Sequence, residues 1–217
     1  MKKALIALLA VAMLIACVSC MPEAAEMKDL TYSEYLEWEG IHDGAMNLYD
    51  ALRDEMDYEE KSGTLNLSDC SNEIIGNWVL HSLYDFYEPV AELPEDFVSR
   101  HGFDGVEVTG TASYTIVDEE AKALRADRTI TIEVDMKFGG TFKYYDQDYE
   151  TKDAPMDYPV KMTIVKFYGL DHSSRLEVTN VVLAGQTMGN AYYETDGKIE
   201  TITYKGHSYV GPYNMPS

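Results

Sequence analysis

Apolar and polar residues alternate with a period of two over much of the chain beyond Gly105. Val106, Val108, Ala112, Tyr114 and Ile116 share one phase, with Glu107, Thr109, Thr111 and Thr115 on the other. Ile130, Ile132, Val134 and Met136 repeat the pattern against Thr129, Thr131, Glu133 and Asp135. Successive strand side chains point to opposite faces, so these runs predict half-buried β-strands with one wet face. Further strands are predicted over 141–149, 160–168, 175–184, 187–194, 198–205 and 207–210. Gly139-Gly140 reads as a hairpin and Asp196-Gly197 as a type I′ turn, because these residues tolerate positive φ. Residues 119–126 read as a short helix. From Gly76 onward the pattern predicts about eight or nine antiparallel strands joined by short turns. Such a meander leaves strand edges exposed unless it closes, which favours an up-and-down barrel of about eight strands. An open, curved α+β sheet covered by an N-terminal helix is the alternative.

The period changes before this region. Thr31 and Glu34 have capping-box spacing. Tyr35, Trp38, Ala45, Tyr49, Leu52 and Met56 then fall three to four apart or at multiples of that spacing, with His42 filling a gap. That stripe predicts an amphipathic helical segment over 31–63, stopped at Gly63. Gly40 and Gly44 lie inside it, where glycine weakens a helix.

Ile74-Ile75-Gly76-Asn77-Trp78-Val79-Leu80 reads two ways. As a helix, Ile75, Trp78, Val79, Ser82, Leu83 and Phe86 share a face; as a strand, Ile74, Gly76, Trp78 and Leu80 do. The Gly76-x-Trp78 triplet upstream of a β meander resembles the start of lipocalin-like barrels. That resemblance implies a strand at Trp78, with its ring plugging one end of a barrel spanning 64–217. It also implies a cavity for a small apolar or amphipathic ligand. Strand phase places Tyr114 with the inward set around Ile116, and Tyr144 with Phe142. Trp78, Tyr114, Phe142 and Tyr144 are therefore the candidate ligand-binding residues. Tyrosine, with an apolar body and a polar tip, suits a half-wet interior.

At the start, Lys2 and Lys3 precede an uncharged apolar run from Ala4 to Ile15. The run is too short to span a bilayer and has the order of an export signal, giving a signal peptide at 1–16. Leu14-Ile15-Ala16-Cys17 resembles a bacterial lipobox. The resemblance implies that Cys17 becomes the first mature residue and carries acyl chains of the palmitate kind on its sulfur and amine. Several chains make such attachment stable, at about 0.8 kcal/mol per buried methylene. Residues 17–30 then form a short tether of at most about 45 Å when extended. The expected location is the cell envelope, outside the cytoplasm and anchored to a membrane. There Cys20 and Cys70 either form a disulfide worth roughly 4 kcal/mol or remain free thiols.

Charge narrows the partners. The chain holds 38 acidic and 17 basic residues, a net charge of −21. Nucleic acid is excluded as an expected partner, since phosphate contacts need Lys and Arg. Acidity also leaves the lipid on Cys17, not a basic patch, to grip the membrane. No His-Glu-x-x-His, Gly-x-Ser-x-Gly, phosphate-loop or Gly-x-Gly-x-x-Gly motif occurs. Asp146, Asp148, Glu150 and Asp157 have the spacing of calcium-loop ligands, but Thr151 stands where that loop needs glycine. No cofactor, no metal and no catalysis are expected. Two functions remain: holding a small ligand in a barrel, or docking another envelope protein through the helix or the acidic surface.

Overall fold

In the computed structural model the described residues are 28–70, 74–88, 93–120, 126–169 and 173–212. Helix α1 spans Tyr32–Leu52 and α2 Leu80–Phe86. The strands are β1 (Lys28–Asp29), β2 (Ser62–Asn66), β3 (Ser99–Gly102), β4 (Val106–Glu120), β5 (Ala126–Tyr145) and β6 (Thr151–Pro155). They continue with β7 (Tyr158–Tyr168), β8 (Ser174–Leu183), β9 (Gln186–Thr187), β10 (Ala191–Thr195), β11 (Ile199–Tyr204) and β12 (His207–Pro212).

The main sheet runs β1-β12-β11-β10-β8-β7-β5-β4-β2, antiparallel except for the β1–β12 pair. β2 and β1 are its two ends and no pairing joins them, so the predicted barrel is not closed. The helices explain why. An apolar sheet face is buried either by closure or by another layer. Here α1 and α2 form that layer, which is the alternative arrangement of an open sheet covered by helix. Ile41, Leu48 and Leu52 of α1 and Leu80 and Leu83 of α2 are wholly buried in one core with Ile132, Tyr158, Val160, Ile164 and Val178 of the sheet. Trp38 Nε1–H donates to the Tyr192 carbonyl at 3.0 Å, fixing α1 to β10. The Tyr158 hydroxyl donates to the Tyr87 carbonyl at 2.9 Å and lies 3.3 Å from that of Leu83, satisfying acceptors at the α2 C-terminus.

Several expectations are met in place. α1 starts at Thr31 with a complete capping box to Glu34. Val106, Val108, Ala112, Tyr114 and Ile116 are all buried, as are Ile130, Ile132, Val134 and Met136. Others are corrected. The helical segment does not run to Gly63: α1 ends at Leu52, a 3₁₀ turn covers Arg53–Glu55, and Gly63 lies in β2. Asp57 drives the reversal, because its carboxylate accepts the backbone N–H groups of Glu59 and Glu60 at 2.8 and 3.0 Å. Of the short helix predicted over 119–126, Glu119 and Glu120 instead end strand β4 and Ala126 begins β5, while 121–125 lie outside the described residues. Gly139-Gly140 is not a hairpin; β5 passes straight through it. Gly140, at φ +79°, lets the strand bend as its partners change from β4 and β7 to β3 and β6. The turn at Asp196-Gly197 does join β10 to β11, but only Gly197 has positive φ there, so it is not type I′.

The largest correction concerns Gly76-x-Trp78. Ile74–Val79 is a π-helical turn leading into α2, not a strand. The helical pattern prevails because Ile75, Val79 and Leu83 then bury together, as they do completely. The wider turn carries Trp78 outward, and it is 65 % exposed. Cys17, Cys20 and the predicted signal and tether up to residue 27 lie outside the described residues.

Candidate functional site

Two glycines determine how α1 meets α2. A Cβ at Gly40 would stand 2.4 Å from Phe86 Cβ, and one at Gly44 2.5 Å from Leu83 Cδ2. Both glycines face α2, one turn apart, and the helices touch through backbone that any side chain would separate. The signal was present in the sequence as glycines four apart, which share a helix face. It reads as helix weakness until the partner helix is known.

Outside this contact the helices and the β8–β9 hairpin leave a cleft of about 730 Å³. Its lining includes the apolar Leu36, Phe86 and Met188, and the acidic Glu37, Glu39 and Asp43 from α1 and Asp85 from α2. Lys205 is the single cation among the lining residues. Lys205 is already committed: its ammonium pairs with Glu37 and lies 5.0 Å from the Tyr204 ring centroid. That pairing raises the pKa of Lys205. Asp85 is held by Arg100 and lies 3.8 Å from His81. Among the described residues Glu39 accepts the Tyr35 hydroxyl, at 3.1 Å, and Asp43 pairs with the His42 imidazole, at 2.9 Å. These two carboxylates are the ones left to meet an incoming cation.

Beside the cleft, Tyr204 is completely buried and its hydroxyl has no hydrogen-bond partner among the described residues. Glu37 and the Gly189 backbone lie beside it without bonding geometry, and burial raises its pKa. A Cβ at Gly189 would lie 2.9 Å from the Tyr204 ring, so glycine is what lets the cleft wall lie flat on this tyrosine. The Glu37 carboxylate above an aromatic face thus forms a cation seat, now filled by the chain's own lysine.

The residues proposed from sequence are placed differently. Trp78 is on the surface. Tyr114 is buried in β4, and its hydroxyl accepts the Asp57 N–H at 2.7 Å. Phe142 and Tyr144 do come together, with ring centroids 6.3 Å apart, but against Tyr84 and Phe97 in packed core. The Tyr144 hydroxyl donates to Asp96 at 2.9 Å. The four therefore do not meet in one cavity. The acidic run at Asp146 is a turn: Asp146 accepts the N–H groups of Asp148 and Glu150 and pairs with Lys152, which together lower its pKa. Cys70 is half-buried, and burial raises its thiol pKa, with Glu55 and Asp69 adding to the shift.

Among the described residues no helix is long and apolar enough to cross a membrane. No family model matches the chain, and no curated protein or solved structure does either.

Proposed function

We propose that the protein is a lipid-anchored component of the cell envelope, held through Cys17, whose acidic cleft docks a cationic amphipathic segment of another envelope protein. The observation carrying this reading is the cleft's composition: apolar side chains and four carboxylates line it together, with one lysine already paired. An amphipathic helix with lysines along one edge matches both kinds of lining. A small ligand held inside a barrel has less support, because α1 and α2 occupy the apolar face of an open sheet.

The test is fluorescence anisotropy with a labelled amphipathic Lys/Leu peptide and its Glu/Leu counterpart, using the full chain. The basic peptide should bind, more weakly as salt rises. The Glu39→Gln, Asp43→Asn double variant should weaken it severalfold. Equal binding of both peptides, or no change in the double variant, refutes the docking role. Intact-mass measurement on protein from the native membrane should place acylated Cys17 at the N-terminus; a mature chain starting elsewhere refutes the anchor.

A further inference from the structure

Trp78 is a large apolar side chain kept where it buries little. Its spacing would let it join Ile75, Val79 and Leu83 on one α-helical face. The π-helical turn Ile74–Val79 withholds it: Ile75, Gly76 and Val79 are buried, whereas Trp78 is 65 % exposed. Single π turns at helices are rare and are frequent at functional sites. Ile74, on the same turn, is 40 % exposed, so two large apolar side chains meet solvent there. The chain's other tryptophan, Trp38, is buried and hydrogen-bonded.

The acidic cleft leads to this turn. Contacts between α1 and α2 step along the two helices in opposite directions. Gly40 meets Phe86, Gly44 meets Leu83, and the Asn47 side-chain amide donates to the Ser82 hydroxyl at 3.3 Å. That hydroxyl donates in turn to the Trp78 carbonyl at 3.1 Å, one turn back along the chain. Ser82 and Asp85 line the cleft, and helix residues three to four apart share a face, so Trp78 is the next position on that face. The seam between the helices therefore carries the carboxylates of Glu39 and Asp43 at one end and exposed apolar side chains at the other. One turn of α1 from Asp43 to Asn47 and one of α2 from Ser82 to Trp78 span about 12 Å together, two turns of a docked helix. Anionic lipid would be repelled by the same carboxylates, which favours a cationic helix as the occupant.

We infer that the cationic segment docked by this protein runs along the seam and seats an apolar side chain on Trp78 while its lysines meet Glu39 and Asp43. The inference rests on the docking role proposed above. It adds the contact that separates an amphipathic basic helix from a merely basic one, and tryptophan is among the residues that most often carry such contacts.

The probe is the Lys/Leu peptide, unlabelled and free of tryptophan, titrated into the full chain. Trp78 emission should shift to the blue and lose its access to acrylamide as the peptide saturates, against a constant background from Trp38. Trp78→Ala should weaken the peptide roughly tenfold, and Trp78→Phe less, with the thermal transition unchanged because the ring is exposed. A Lys/Ser peptide of equal charge should bind the unaltered chain and Trp78→Ala alike. If the Lys/Leu peptide binds while Trp78 emission and the Trp78→Ala affinity stay unchanged, the inference fails and the docking role stands. No binding of that peptide removes both. A blue shift with phosphatidylcholine or phosphatidylglycerol vesicles, and none with the peptide, assigns Trp78 to a lipid surface and overturns the inference. Should Trp78→Ala fail to fold, emission and quenching on the unaltered chain decide it.

Discussion

At its N-terminal half, α1 presents Glu37, Glu39 and Asp43 to a wide cleft; at its C-terminal end it presents Tyr49 to a small pocket that Arg128 also lines. The helix dipole favours this ordering of charge, but only within the first and last turns, so it does not account for Glu39 or Asp43. The difference lies in solvation. Asp43 and Asp85 are more than half exposed, so water stabilises them whether or not a partner is bound. Their attraction acts over a Debye length and fades with salt. Tyr49 is only 3 % exposed, and the Arg128 beside it is already held by Asp118. Charge therefore acts at long range only in the cleft, and the pocket offers short-range contact.

Three changes break or sharpen this contrast. Leu48 is wholly buried on α1 between Asp43 and Tyr49. Leu48→Ala should cost about 2–5 kcal/mol in urea unfolding and weaken peptide binding in the cleft, since the same helix carries Glu39 and Asp43. Unchanged peptide binding would show that the N-terminal half of α1 is held independently of its C-terminal end. Gly40→Ala should discriminate. Helix propensity alone makes it stabilising by about 1 kcal/mol. The Cβ, however, would meet Phe86 Cβ at 2.4 Å and the Ser82 carbonyl at 3.2 Å, so the helices must part. The net effect should be destabilising by about 1–3 kcal/mol, with peptide binding in the cleft lost. A stabilised variant would show that α2 yields easily.

The smallest effect concerns Glu34, which joins the α1 N-terminus to His207 at 2.7 Å. The His207 hydrogen bond, followed by those from Thr31, lowers its pKa from 4.5 to about 2. A carboxyl depressed on folding stabilises the fold above its unfolded pKa and loses that contribution as protons bind. The contribution should therefore be complete above about pH 4.5 and disappear as pH falls toward about 2. Thermal melts across that range should show a steeper acid decline for the unaltered chain than for Glu34→Gln. Parallel declines would mean that the pair adds nothing to stability.

The sheet was legible where one face is wet. Ile130, Ile132, Val134 and Met136 are buried because Thr131, Glu133 and Asp135 between them hold the register. The start of α1 was legible because Thr31 and Glu34 act locally. Ile74–Leu80 was not, because a short apolar run fits both periods and only contact with α1 decides between them. Closure was not legible either: whether an apolar sheet face meets itself or a helix depends on how closely α1 and α2 pack, and that rests on Gly40 and Gly44. Ile41 and Leu48, absent from the stripe read along 31–63, complete the face that replaces closure. Neither site could be assembled from spacing alone, because Asp43 and Asp85, or Tyr49 and Tyr168, meet only across the fold.

The two-residue strand β1 also has a mechanical meaning. Lys28 and Asp29 pair with His207 and Ser208, and Leu30 N–H adds one bond to the Ser208 carbonyl at 3.3 Å. In the anchored protein proposed above, tension arriving at Lys28 would meet this short clip first. Just behind it, the Glu34–His207 pair ties the same strand to the start of α1. The clip would therefore yield under load before the helix-covered sheet does, and its strength, not that of the core, would set the force at which an anchored domain gains reach.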